Sequence, residues 1–155
     1  MVRIFNVTST HESDAAMNEF RSAVGEKPTV AAFYMDGCIH CEQLTGPWTA
    51  FEKAIEAKHS DDDAVVAFVH KDVAPMIAER VNGGLQIQGY PTIMGFSETG
   101  APTEFEGARN EVDLMAFYER IVHGSDKKGG RKGVGKGVGK GVKGTKKTRG
   151  KKGGR

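Results

Sequence analysis

The chain has 155 residues, 38% of them hydrophobic, and its 22 Lys+Arg against 20 Asp+Glu leave a net charge of only +2. That sum hides two opposite parts: residues 1–123 hold nine basic and 19 acidic side chains, net −10, and residues 124–155 hold 13 basic and one acidic, Asp126, net +12. The length suits one hydrophobic core. The longest apolar run, Ala64 to Val69, falls far short of the roughly 20 residues of a membrane span, and two cysteines exclude a stapled disulfide framework.

Val2–Val7 has the composition of a short strand. Polar Asn6, Thr8, Ser9, Thr10 and His11 interrupt any signal-peptide core, so a cytoplasmic or nuclear location with reduced thiols is expected. A helix is predicted from about Ser13, with Met17, Phe20 and Val24 on one face and Gly25 as its stop. Thr29–Tyr34 is a continuous apolar run bounded by Pro28 and Asp36-Gly37, the pattern of a strand buried on both faces. Leu44, Trp48, Phe51 and Ile55 then repeat at helical spacing as far as about Lys58, and Pro47 is expected to kink that helix.

Asp61-Asp62-Asp63 makes a polar turn before Ala64–His70, a second buried strand. Pro75 suits the first turn of a short helix reaching Val81, which Asn82-Gly83-Gly84 ends. Thr92–Phe96 and Thr103–Glu106 read as a hairpin around Ser97-Glu98-Thr99-Gly100. Asn110 and Asp113 form a capping pair for a last helix with Leu114, Phe117, Tyr118 and Ile121 inward, ending near Gly124. The order β-α-β-α-β-α-β-β-α describes an α/β domain over residues 1–123, a sheet of parallel and antiparallel strands with helices on both faces. Met17, Phe20, Trp48, Phe51, Phe68, Ile93, Phe96, Phe117 and Ile121 belong to its core, not to a cofactor box, and no phosphate-binding glycine loop is present.

Both cysteines lie in the tetrapeptide Cys38-Ile39-His40-Cys41, after a buried strand and at the opening of a helix. There the first thiol meets outward helix amides and the positive end of the helix dipole, which favour its thiolate. The second lies one turn inward, close enough to close a small disulfide. Cys38 is therefore the expected nucleophile and Cys41 the resolving thiol. Half of a zinc site is the alternative, with His40, His59 and His70 as further ligands, but a second Cys-x-x-Cys is lacking and no metal or cofactor is expected. His59 and His123 carry no signal of their own.

Thr29-Val30-Ala31-Ala32-Phe33-Tyr34-Met35-Asp36-Gly37-Cys38-Ile39-His40-Cys41 resembles the strand and active-site turn of thioredoxins and, more closely, of protein disulfide isomerase catalytic domains. Gly89-Tyr90-Pro91-Thr92 is similar to the cis-proline segment of the isomerases, and Phe105-Glu106-Gly107-Ala108-Arg109 to the aromatic-x-Gly-x-Arg stretch before the last helix. The resemblance spans about residues 15–122. It implies a thioredoxin fold, a cis bond before Pro91, and a substrate peptide paired with the backbone of Tyr90. It implies that His40 adds positive charge beside the Cys38 thiolate and makes the pair a stronger oxidant; isomerases and thioredoxin differ by about 90 mV, roughly 4 kcal/mol for two electrons. It also implies that Arg109 can swing toward Cys41 and ease its deprotonation.

The chain departs from the family pattern at several positions. Gly37 replaces the Trp that usually precedes the first Cys. Ile39 replaces Gly or Pro and adds apolar bulk for substrate contact. Ala32 stands where the family has a buried acid that moves the resolving Cys proton, and Pro47 falls one residue late. The expectation is a thiol–disulfide oxidoreductase acting on protein thiols and disulfides, with no membrane partner.

Residues 124–155 contain 12 Gly and 13 Lys/Arg, with Lys-Gly-Val-Gly starting at Lys132 and again at Lys136. Such a segment builds neither helix nor core, so disorder is expected, and its +12 charge suits nucleic acid or another polyanion without base-specific readout. A redox-degenerate binding module tethered by this tail is the second reading of the whole chain.

Overall fold

The computed structural model describes residues 1–8, 14–97 and 102–124. The chain divides into two units after Gly124, and the described fold belongs to the first, Met1–Gly124. The disorder and polyanion binding expected of the tail, and most of the Ser97–Gly100 turn, lie outside the described residues.

Strand β1 (Arg3–Val7) leads into helix α1 (Asp14–Glu26), strand β2 (Thr29–Tyr34) and the long helix α2 (Ile39–Lys58). Strand β3 (Val65–His70) runs through a 3-10 turn into the short helix α3 (Ala74–Ala78), followed by β4 (Thr92–Phe96), β5 (Thr103–Glu104) and α4 (Glu111–His123). The five strands lie in the order β1-β3-β2-β4-β5. The first three are parallel; β4 is antiparallel to β2 and β5 to β4. Among the described residues no helix is long and apolar enough to cross a membrane.

After Thr29 β2 is apolar because both of its faces are covered. Ala31 and Phe33 point into a layer with Met17, Phe20 and Ile77 from α1 and α3. Val30 and Ala32 point the other way, into a layer with Trp48, Phe51 and Phe117 from α2 and α4. Of the residues expected in the core, Phe68 and Ile121 pack against it half-buried and the other seven are buried. Burial of side chains such as Trp48, Phe51 and Ile55 stabilises the fold by about 1.5–3 kcal/mol each. This anchoring explains why α2 continues through Pro47 for 20 residues although the ring removes one backbone donor.

Two elements are shorter than the sequence predicts. α3 stops at Ala78, and turns carry the chain on to Gly84, where the Gly84 N–H donates to the Val81 carbonyl at 2.8 Å. β5 pairs over Thr103–Glu104 only, although the Phe105 N–H still donates to the Ile93 carbonyl at 2.8 Å. α4 starts where its cap predicts: the Asn110 side chain accepts from the Asp113 N–H at 2.8 Å, and Asp113 accepts from the Ala108 N–H at 3.0 Å.

Candidate redox site at the head of α2

β2 is the middle strand of the sheet, between parallel β3 and antiparallel β4, and its C-terminal end delivers the chain to the head of α2 through Met35–Gly37. Gly37 takes φ +72°, the left-handed region that a side chain disfavours. This gives the departure at position 37 a backbone reason, since a bulky aromatic there would strain the turn. Cys38 follows with extended backbone and is itself the N-cap of α2.

Cys38 and Cys41 are disulfide-bonded, with 5.2 Å between their Cα atoms. The Cys41 N–H donates to Cys38 Sγ at 3.1 Å. A sulfur at this position accepts what an Asn or Ser side chain accepts at an ordinary N-cap, and the helix dipole adds to the preference for negative charge there. Cys38 is partly exposed, while Cys41 is buried at 4%. Ile39 between them is 61% exposed, one of three large hydrophobic side chains so exposed among the described residues.

The peptide bond Tyr90–Pro91 is cis. Pro91 is buried, the Thr92 hydroxyl closes the turn by donating to the Gly89 carbonyl at 2.6 Å, and the Tyr90 carbonyl oxygen lies 3.6 Å from Cys38 Sγ. The structure thus brings Cys38, Cys41, Tyr90 and Pro91 together from segments about 50 residues apart. Beside the loop runs a polar groove of about 470 Å³ bordered by Gln86, Gln88, Tyr90, Glu104 and Arg109. Arg109 is exposed and its guanidinium donates to the Pro91 carbonyl at 3.4 Å. His40 is exposed, with Nδ1 3.2 Å from the Gln43 side-chain oxygen. Neither side chain makes a described hydrogen bond to a site sulfur.

Sequence reasoning missed the surroundings of Cys41. A cavity of about 340 Å³ lies against it, bordered by Asn6, Tyr34, Thr45, Trp48 and Phe68. Ala32 is fully buried among apolar neighbours, so no carboxylate stands at that position. Nearby, His70 is buried at the end of β3, with Nε2 3.1 Å from Asp36 and Nδ1 accepting from the Asp72 N–H at 3.2 Å. Lys71 donates to Asp72 at 3.0 Å; this bond raises the lysine pKa and lowers that of the aspartate. Nothing in the spacing of His70 and Asp36, 34 positions apart, announces their pairing.

A thioredoxin family model matches residues 11–120. The chain belongs to the thioredoxin family. It is 27% identical over 105 residues to a thioredoxin domain-containing protein 5 homolog of Drosophila melanogaster, a match covering 68% of this chain and 24% of that protein. It is 31% identical over 94 residues to the protein disulfide-isomerase erp38 of Neurospora crassa, covering 60% of this chain and 24% of the relative. The match thus spans about a quarter of the length of these relatives. Among solved structures, the J-Trx1 fragment of ERdj5 superposes with a TM-score of 0.56 at 23% identity, over 77% of this chain and 50% of the fragment, which shows the shared fold. The thioredoxin fold and the isomerase-like relatives agree with the resemblance carried by the three sequence motifs.

Proposed function

We propose that this chain is a thiol–disulfide oxidoreductase of the protein disulfide isomerase type, exchanging disulfides with protein substrates through Cys38 and Cys41. The observation that carries the reading is the Cys38–Cys41 disulfide at the head of α2, its outer sulfur beside the Tyr90 carbonyl. In the oxidising direction a substrate thiolate attacks Cys38 Sγ, the Cys38–Cys41 bond breaks, and Cys41 leaves as a thiolate. A second substrate thiolate then attacks the substrate sulfur of the mixed disulfide and Cys38 leaves. The substrate gains a disulfide, the pair gains two electrons, and the two cysteine thiolates take protons from solvent. Run backwards, the same steps reduce a substrate disulfide.

The Cys41 N–H on Cys38 Sγ supports this assignment, because it stabilises the negative charge that Cys38 carries as leaving group or nucleophile. Ile39 supplies apolar contact to the substrate, and the backbone of Tyr90 pairs with its peptide. His40 adds positive charge at the first turn, which favours the dithiol form and hence oxidation of substrates. Arg109 braces the Pro91 segment; its bond to the Pro91 carbonyl must break before it can approach Cys41. In place of the absent buried acid, the open cavity beside Cys41 gives solvent a route to the proton of the resolving thiol. The basic segment 124–155 adds attachment to a polyanion.

Trapping tests the assignment. Cys41→Ser is expected to accumulate mixed disulfides with protein substrates, seen as adducts on non-reducing gels, that disappear in Cys38→Ser. Absence of adducts in both variants at every glutathione ratio would reject the enzyme reading.

A further inference from the structure

At the end of α2 away from the sulfur pair, three chain segments converge on one carboxylate oxygen. His59 is the C-cap of α2, Asp62 lies in the turn before β3, and His123 is the last residue of α4. Asp62 Oδ2 is 3.3 Å from His59 Nδ1 and 3.0 Å from His123 Nε2. One ligand atom from each of the three lies within 4.8 Å of the others. Ligands held 2.0–2.2 Å from a tetrahedral ion stand about 3.3–3.6 Å apart, so two of the three edges already have nearly the required length.

Outer partners are also in place. His59 Nε2 is 3.2 Å from Glu119 Oε2, leaving Nδ1 for a metal while the other ring nitrogen donates to a carboxylate. The Tyr118 hydroxyl donates to Asp62 Oδ2 at 2.9 Å. Carboxylate–histidine–metal chains and hydrogen-bonded carboxylate ligands are how metal sites orient their first ligands. His59, Asp62 and His123 are all partly shielded, with side chains 17%, 21% and 30% exposed.

We propose that His59 Nδ1, Asp62 Oδ2 and His123 Nε2 bind a first-row divalent cation of the zinc type, with Glu119 and Tyr118 as orienting partners and water in the fourth position. Two imidazoles with one carboxylate suit Zn²⁺, and Co²⁺ as its spectroscopic substitute, over the all-oxygen preferences of Mg²⁺ and Ca²⁺. The ion clips the end of α2 to the end of α4 across the turn between them, so its effect is on stability and not on the sulfur chemistry.

The test uses the untagged full chain in its oxidised form, so that Cys38 and Cys41 offer no thiolate. Calorimetric titration with Zn²⁺ is expected to show one site, and Co²⁺ to give the intense visible bands of four-coordination. His59→Gln and His123→Gln are each expected to weaken binding at least about 100-fold. Glu119→Gln, at a half-exposed position, should weaken it about 10-fold, the lower end of the usual effect of an outer partner. His40→Gln should leave it unchanged. Zn²⁺ should raise the unfolding temperature of the parent and not of His123→Gln. No binding by the folded parent, or binding untouched by His59→Gln and His123→Gln, would overturn the proposal and leave a histidine–carboxylate ion-pair network.

Discussion

Glu52 shows how one buried neighbour changes a residue that sequence reads as an ordinary helix surface position. Its carboxylate accepts from Trp48 Nε1 at 3.0 Å, and partial burial holds its pKa above the usual carboxylate value, with the Glu56 charge acting in the same direction. The folded state therefore binds this proton more tightly than the unfolded state. Its contribution to stability is full below the ordinary carboxylate pKa and is lost as pH rises through the raised value. Glu52→Gln retains an acceptor for Trp48 and has no charge to desolvate. It is expected to equal the parent near pH 4 and exceed it in stability at pH 7, measured by urea unfolding with the single Trp48 as fluorophore. The pairing of Cys38 with Cys41 was readable, because both lie in one tetrapeptide. The reason for Gly37 was not, since a positive φ belongs to a turn already folded.

At the scale of elements, helical and strand periods identified the nine main segments, while their ends moved where tertiary packing outweighed local preference. α2 survives Pro47 because Trp48, Phe51 and Ile55 beyond it are fully buried. α3 is shorter than its composition suggests because Ala74 and Ile77 are its two buried residues and little apolar surface follows until Val81. The packing of α4 on β4 depends on a residue without a side chain. A Cβ at Gly95 would overlap the Ile121 side chain and touch Phe117 at 3.0 Å. Gly95→Ala is expected to destabilise the domain by about 1–3 kcal/mol, the usual cost of overpacking, read as a lower urea midpoint with unchanged slope. Losses below about 0.5 kcal/mol would mean that α4 shifts freely, contrary to tight packing of α4 on β4. From sequence, Gly95 is only a weak spot in a strand; its role exists because α4 crosses there.

For the molecule as a whole, the charge asymmetry is the property with consequences beyond the fold. Removing residues 125–155 changes the net charge from +2 to −10. The full chain is expected to bind heparin or duplex DNA with a log–log salt slope as steep as about −11, and the truncated chain to flow through the same column. Equal retention of both would discard the polyanion role of the tail. The amino-acid sequence by itself determined the fold class and the sulfur pair at a helix start, because periodicity, a helix start and a Cys-x-x-Cys are local patterns written in adjacent residues. Only the tertiary structure decided that Arg109 rests on the Pro91 carbonyl, that His70 meets Asp36, and that His59, Asp62 and His123 share one corner. Those pairings join residues as far as 61 positions apart, and such distances are closed by strand pairing and by helix packing, not by any pattern along the chain.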